Sequence, residues 1–97
     1  MLTGKQKRYL RSLAHHIDPI FQVGKAGVNP NMIKQLYDAL EARELIKVSV
    51  LNNSLEDTES AAEKIVSRTH AELVQVIGHT IVLYKESKEN KEIELPK

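Results

Sequence analysis

The sequence predicts an α+β domain, in which a mixed four-stranded β-sheet is packed with three helices in the order α-β-α-β-α-β-β. Segments with apolar residues at helical spacing alternate along the chain with short segments rich in β-branched residues. Strand–helix–strand units connect parallel neighbours, whereas the turn Gly78-His79 is typical of an antiparallel hairpin. Both hairpin strands are apolar on both faces, so we expect them to be central in the sheet or covered on both sides.

Length and composition indicate one domain that spans residues 1–97. A chain of 97 residues can build one core but not two, and 41% hydrophobic with 28% charged residues is typical of a folded chain. The absence of cysteine excludes a disulfide framework and a thiolate metal site. No apolar run reaches the roughly 20 residues that cross a bilayer, and no signal-peptide pattern is present. We therefore expect a soluble, cytoplasmic protein without a membrane partner.

The first helix begins at a capping box, with Thr3 as the N-cap and Gln6 reaching back to it. An apolar stripe follows at helical spacing: Leu10, Leu13, Ala14 and Ile17. Pro19 is expected to end the helix, because the residue before a proline is disfavoured in the α conformation. Residues 20–23 then form a short strand.

The second helix is predicted to begin at Asn29 and Pro30, which are typical of the N-cap and the first helical position. Its expected apolar stripe is Ile33, Leu36, Tyr37 and Leu40. Residues 45–51 form the second strand, and the third helix begins within residues 54–57. The positions expected to be buried in the third helix are Ala61, Ala62, Ile65 and Val66.

The chain ends in the predicted hairpin and a charged tail. The hairpin strands span residues 73–77 and 80–84. Residues 86–97 are so rich in charge that we expect them to be extended or mobile, with Ile93 and Leu95 available to dock at an edge of the sheet.

The segment Gly24-Lys25-Ala26-Gly27, called the GXXG loop below, lies between the first strand and the second helix. Glycines allow positive φ and close approach of another backbone. Free N–H groups at a helix N-terminus suit a phosphate, and Lys25 adds a positive charge at the tip. The same pattern is also typical of an ordinary strand-to-helix turn. A phosphate contact here requires that no carboxylate of the chain itself occupies the loop.

Positive charge is concentrated in the N-terminal half of the chain. Residues 1–48 contain eight Lys or Arg and four acids, a net charge of +4, whereas residues 49–97 contain six and nine, a net charge of −3. In the first helix, cationic side chains share one face beside the apolar stripe: Lys7, Arg8, Arg11 and His15. Solvated helix faces usually mix the two signs of charge, so this face favours an anionic partner, although a simple solubilising surface fits the same pattern. His15 would make a pH-dependent contribution.

Catalytic, cofactor and metal sites find no support in the sequence. The Gly pattern has neither the third glycine of a dinucleotide fingerprint nor the G-x-x-x-x-G-K-[ST] of a P-loop. The histidines include no H-x-x-x-H pair, and no serine lies in a G-x-S-x-G turn. We predict no catalytic residue, no cofactor, no metal and no small-molecule substrate.

Five segments together resemble the YhbY-type CRM domain family, named for chloroplast RNA splicing and ribosome maturation. They are Leu13-Ala14-His15, Val23 with the GXXG loop, Glu44-Leu45-Ile46-Lys47-Val48, Val74-Gln75-Val76-Ile77-Gly78 and Val82-Leu83-Tyr84. Ile93, Leu95 and Pro96 resemble the closing pattern of the family. The resemblance implies a fold like the C-terminal domain of bacterial translation initiation factor three, with strand order 1-2-4-3 and the fourth strand antiparallel.

The resemblance further implies a non-enzymatic RNA-binding protein that associates with precursor ribosomal RNA of the large subunit. The RNA-binding residues that it implies are the GXXG loop (Gly24, Lys25, Ala26 and Gly27) and a basic surface formed by Lys5, Lys7, Arg8, Arg11 and Lys47, beside His15. Ribosomal proteins are further candidate partners, because an adaptor that docks on one of them through the acidic third helix is the alternative function. A small hydrolase acting on RNA or nucleotides is a third hypothesis, for which the sequence offers no catalytic constellation.

Overall fold

The computed structural model describes residues 2–97 and contains three helices around one mixed sheet. The elements are α1 (Gly4–Ala14), β1 (Phe21–Val23), α2 (Pro30–Arg43), β2 (Leu45–Val50), α3 (Thr58–Thr69), β3 (Glu72–Ile77) and β4 (Thr80–Tyr84). The strand order is β1-β2-β4-β3, with β1 parallel to β2 and β4 antiparallel to both of its neighbours. The predicted fold class, strand order and antiparallel fourth strand are therefore confirmed. Of the two hairpin strands, β4 is central and β3 lies at the edge.

Helices cover both faces of the sheet. On one face, α2 and α3 pack on alternate residues of β2 and β4, such as Ile46, Val48, Ile81 and Leu83. On the other face, α1 packs through Leu10 and Ala14 on a smaller cluster: Leu45, Val74, Val82 and Tyr84. A β-bulge between Leu73 and Gln75 inserts the extra residue Val74 into β3 beneath α1.

Helix α1 has the predicted capping box but ends earlier than expected. Thr3 accepts the N–H of Gln6 while the Gln6 side chain accepts the N–H of Thr3. The helix ends at Ala14 and not at Pro19, because the N–H groups of His16 and Ile17 turn back to carbonyls three residues earlier. Ile17 still packs against the cluster beneath α1.

Helix α3 begins at Thr58, after the predicted start within residues 54–57. Asp57 is the N-cap, and its carboxylate accepts the N–H of Ser60 over 2.8 Å. Of the predicted buried positions in this helix, Val66 is only half-buried. The expectation that Tyr37 of α2 belongs to the core is wrong, since its side chain is exposed and its ring lies 5.8 Å from Lys85 Nζ.

The charged tail has no regular secondary structure, but it is fixed to the end of α2. The buried carboxylate of Glu44 accepts the N–H groups of Ser87, Glu92 and Ile93 over 2.7–2.8 Å. Burial alone would raise the pKa of the Glu44 carboxyl, yet these three hydrogen bonds bring it below its ordinary value. Glu41 accepts the N–H of Lys88 in the same way. The tail is therefore docked, and Ile93 and Leu95 pack beside α1.

Within residues 2–97, none of the helices combines the length and apolar character needed to cross a membrane.

Candidate nucleic-acid interface

The GXXG loop is a tight turn with an exposed tip. The N–H of Gly27 donates to the carbonyl of Gly24 over 2.9 Å, and Gly27 has a φ of 66°, which favours glycine. Lys25 and Ala26 are exposed at the tip. Among the described residues, the N–H groups of Lys25 and Ala26 find no acceptor in the chain. The tip thus offers one ammonium group and two backbone N–H groups to an anion.

The carboxylate of Glu56 lies behind this tip. Its Oε1 accepts the N–H of Val28 over 3.0 Å and forms an ion pair with Lys64 over the same distance. The hydrogen bond from Val28 holds the pKa of the Glu56 carboxyl below its ordinary value, with burial opposing this effect and Lys64 adding to it. Glu56 therefore fixes the segment that precedes α3 against the GXXG loop. Its carboxylate occupies the Gly27–Val28 side of the loop, contrary to the requirement that no carboxylate of the chain lies there, whereas the N–H groups of Lys25 and Ala26 at the tip are not bound by it.

At the start of α2, some of the N–H groups that were expected to be free for a phosphate are already bound within the chain. The N–H of Val28 is already bound to Glu56, and the Asn29 side chain accepts the N–H of Met32 over 2.9 Å. Pro30 has no N–H to offer. The exposed tip of the GXXG loop remains available to an anion beside this junction.

The cations of α1 lie on two sides of that helix. Lys5, Arg8 and His15 are exposed on the side that faces away from the sheet. Lys7 and Arg11 are half-buried on one flank of the apolar stripe. The structure therefore divides the predicted basic face into an outer row and a flank that borders the sheet.

The flank that carries Lys7 and Arg11 faces the half of the sheet that lies away from the tail. On the opposite flank, the side chain of Gln6 donates to the carbonyl of Pro96 over 3.0 Å. The tail occupies the end of the sheet where β2 begins, because Glu44 holds it there. The flank of Lys7 and Arg11 is therefore turned toward the other end, where β1 leads into the GXXG loop.

Helix α1 covers only part of its sheet face. Along β4, Tyr84 and Val82 are buried beneath α1, whereas Thr80 on the same face is only partly buried. Along β2, Leu45 is buried, whereas Lys47 and Ser49 are partly exposed. We call the uncovered part the open sheet face; it consists of Gln22, Lys47, Ser49, Gln75, Ile77 and Thr80.

The acids nearest to the open sheet face, such as Glu56 and Asp57, lie beyond the end of β2 and not on this face itself. None of the residues of the open sheet face is acidic. Glu59 and Glu63 belong to α3, on the other face of the sheet. Within residues 2–97, the salt bridges join Lys64 to Glu56 and Lys91 to Glu86, so no described acid pairs with the cations beside the open sheet face. The positive charge of the N-terminal half thus lies beside the open sheet face, whereas the acids of α3 lie on the other face of the sheet.

No three histidine or acidic side chains come together as metal ligands within residues 2–97. His79 lies within 3.4 Å of the Thr58 hydroxyl, and His15 lies beyond the end of α1 as its C-cap.

Sequence reasoning missed the partners of two acids and most of the open sheet face. Glu56 and Glu44 are separated by 28 and 43 residues from the N–H groups of Val28 and Ser87 that they bind, so no local pattern predicts these contacts. The open sheet face did leave a signal, since Lys47 and Ser49 alternate with apolar residues in β2. That alternation indicates a strand with one polar, uncovered side.

Together, these features define a class: small α+β domains that carry a GXXG loop between the first strand and the following helix and display a basic surface beside it. The chain belongs to the CRS1 / YhbY (CRM) domain family, whose model matches residues 2–85. The predicted family is therefore confirmed.

Relatives of this chain share most of its length. It is 72% identical over 96 residues to the Bacillus subtilis protein named Probable RNA-binding protein YqeI, with 99% of this chain and 100% of that protein covered. It is 41% identical to a Haemophilus influenzae protein named RNA-binding protein, with 99% and 96% covered. The solution structure of SAV1595 from Staphylococcus aureus, described as a candidate RNA-binding protein, has a TM-score of 0.81 and 70% identity, with 99% and 100% covered.

Proposed function

We propose that this chain is an RNA-binding protein that acts without catalysis as an assembly factor on precursor ribosomal RNA of the large subunit. The names of its relatives support RNA as the ligand. The resemblance to ribosome-associated members of the family supports the ribosomal target.

One observation carries the proposal. Lys7, Arg11, Lys25 and Lys47 border the open sheet face or the GXXG loop beside it, and no described acid pairs with them. Unpaired cations that lie together on one surface attract a polyanion and release its counterions when it binds. Lys5, Arg8 and His15 extend the positive surface along the outer side of α1.

The GXXG loop contributes its tip in this mechanism. The ammonium group of Lys25 and the N–H groups of Lys25 and Ala26 would contact one phosphate, which fixes the position of the RNA strand without reading its sequence. The carboxylate of Glu56 is partly neutralised by Lys64 at 3.0 Å, so it repels that phosphate less than a free carboxylate would. Gly24 and Gly27 shape the turn that presents the tip.

Crosslinking in cells tests the target directly. Ultraviolet crosslinking of the protein, followed by sequencing of the bound fragments, should enrich precursor ribosomal RNA of the large subunit over other abundant RNA. Enrichment of other RNA classes would contradict the ribosomal target, and absence of any crosslinked RNA would contradict RNA binding.

A pull-down after RNase treatment separates RNA binding from the adaptor alternative. If the protein binds pre-ribosomal particles through RNA, RNase should release it from them. If it stays bound to a ribosomal protein after RNase, the acidic α3 is the surface to test next, and the RNA proposal is wrong.

A further inference from the structure

We infer that the open sheet face binds the bases of unpaired nucleotides, so that the RNA recognised is single-stranded. This inference rests on the proposed function and adds the class of RNA and a second binding surface to it. It concerns side chains of the sheet itself, beyond the GXXG loop and the basic surface.

The open sheet face contains one continuous polar row across all four strands. The strand registers place Gln22 opposite Ser49, Ser49 opposite Thr80, and Thr80 opposite Ile77. With strands about 4.8 Å apart, this row is about 14 Å wide. It offers one amide, two hydroxyls and, at its end, an aliphatic side chain that is 50% exposed.

A second, shorter row lies between the first row and α1. Lys47 pairs with Val82, and Val82 with Gln75. Val82 is fully buried under α1, whereas Lys47 and Gln75 on either side are partly exposed. The second row therefore adds the ammonium group of Lys47 and the amide of Gln75 on the part of the sheet next to α1.

Helix α1 lies along one side of the open sheet face and rises above it. A helix with its side chains is about 10 Å across, and the flank of α1 that faces the open sheet face carries Lys7 and Arg11. The open sheet face thus has cations along the side that borders α1, and the GXXG loop lies near the end of β1. We call this surface, together with the bordering flank of α1, the ledge. A single RNA strand bound to the open sheet face would place its phosphates beside Lys7 and Arg11 and its bases above the polar row.

The amide and hydroxyl side chains on the ledge fit base edges better than they fit phosphates. Amides and hydroxyls both donate and accept hydrogen bonds, and such groups read the edges of unstacked bases in single-stranded RNA. A double helix hides these edges in pairs and offers mainly its phosphates and 2′-hydroxyls. Ile77 gives a base an apolar contact, which takes the place of the aromatic platforms that many such surfaces use.

Two labelled RNA probes and one matched pair of variants test the inference. The probes are a fluorescein-labelled single-stranded 12-mer of mixed sequence and the 12-base-pair duplex made from it, both measured by fluorescence anisotropy. Gln75→Glu adds one negative charge to the ledge at constant side-chain size. Gln35→Glu makes the same change on the exposed side of α2.

The wild type should bind the single strand at least about fivefold more tightly than the duplex, and Gln75→Glu should weaken single-strand binding about tenfold. Gln35→Glu should change it less than about twofold. Equal binding of the two probes, or equal effects of the two variants, overturns the inference. If Lys25→Glu still weakens RNA binding in that case, the proposed function stands without the ledge. Failure of the wild type to bind either probe overturns both.

Backbone amide shifts of the wild-type protein give a reading that does not depend on any variant folding. Titration with the single strand should shift the amide signals of Gln22, Ser49, Gln75 and Thr80 and leave those of Glu63 and its α3 neighbours in place. Shifts confined to the outer side of α1 and the GXXG loop would overturn the ledge as a binding surface.

Discussion

The carboxylate of Glu56 occupies the space that a side chain at position 27 would need. A Cβ built on Gly27 would lie 2.8 Å from Glu56 Oε1, which is closer than real Cβ contacts come. The carboxylate cannot easily move away, because it holds the N–H of Val28 and the ammonium group of Lys64. The turn of the GXXG loop and the start of α3 are therefore one structural unit.

The first prediction compares the two glycines of the loop. Gly27→Ala should lower the free energy of unfolding by about 1–3 kcal/mol, because the position has a φ of 66° and no room for a methyl group. Gly24→Ala is the control, since its Cβ would meet only Leu51 at an ordinary 3.7 Å, and it should change stability by less than about 0.5 kcal/mol. Urea denaturation measures both. Equal stability of the two variants would contradict the close contact with Glu56.

The second prediction concerns acid. The folded-state pKa of Glu44 is lowered by three N–H donors, so its contribution to stability is complete above the ordinary glutamate value of about 4.3. That contribution is lost as the pH falls through the lowered folded-state pKa. The amide hydrogens of Ser87, Glu92 and Ile93 should therefore lose protection from exchange together as the solution is acidified.

Glu44→Gln is the matching variant at neutral pH. It removes the charge and replaces one acceptor oxygen with a donor, so it should lower the free energy of unfolding by about 1.5–3 kcal/mol. The pH dependence of tail protection should also become flatter in this variant. If hydrogen exchange of the tail is the same in Glu44→Gln and in the wild type, then Glu44 does not hold the tail.

The contrast between Glu44 and the strands explains how much of this molecule the sequence could predict. The caps at Thr3 and Asn29 and the turn at Gly78 depend on neighbours within a few residues, so local rules found them. The high charge of residues 86–97 predicted a mobile tail. The docking of the tail was missed because nothing near Ser87 in the sequence reveals that Glu44, 43 residues earlier, is its buried acceptor. The placement of β4 between β2 and β3 came from the family resemblance, since periodicity does not fix strand order.

The candidate interface likewise combines features that are local in the sequence with contacts that form only on folding. The types of residue and their charge were readable in the sequence, and so was the GXXG loop. The sequence did not reveal that the N–H of Val28 is already bound, because that hydrogen bond depends on where Glu56 lies after folding. The extent of the open sheet face depends on how far α1 reaches across the strands, which is a property of packing between Leu10, Ala14 and the sheet.

The third prediction tests the tip of the GXXG loop. Lys25→Glu should weaken binding to single-stranded RNA about tenfold or more, because it turns a phosphate contact into a repulsion. Its melting temperature should stay within a few degrees of the wild type, since the side chain is exposed. Lys88→Glu makes the same change on the docked tail, at the other end of the sheet, and should have little effect. A similar loss of affinity in both variants would mean that only net charge matters.

The fourth prediction uses salt to count the phosphates. If Lys7, Arg11, Lys25 and Lys47 each neutralise one phosphate of a single strand, the logarithm of the binding constant should fall against the logarithm of salt concentration with a slope of roughly −3. Arg11→Ala should make that slope less steep by about 0.7 and weaken binding at low salt more than at high salt. Anisotropy titrations at several potassium chloride concentrations measure both slopes. A slope near zero would remove phosphate contacts from the mechanism, and an unchanged slope in Arg11→Ala would remove the flank of α1 from the interface.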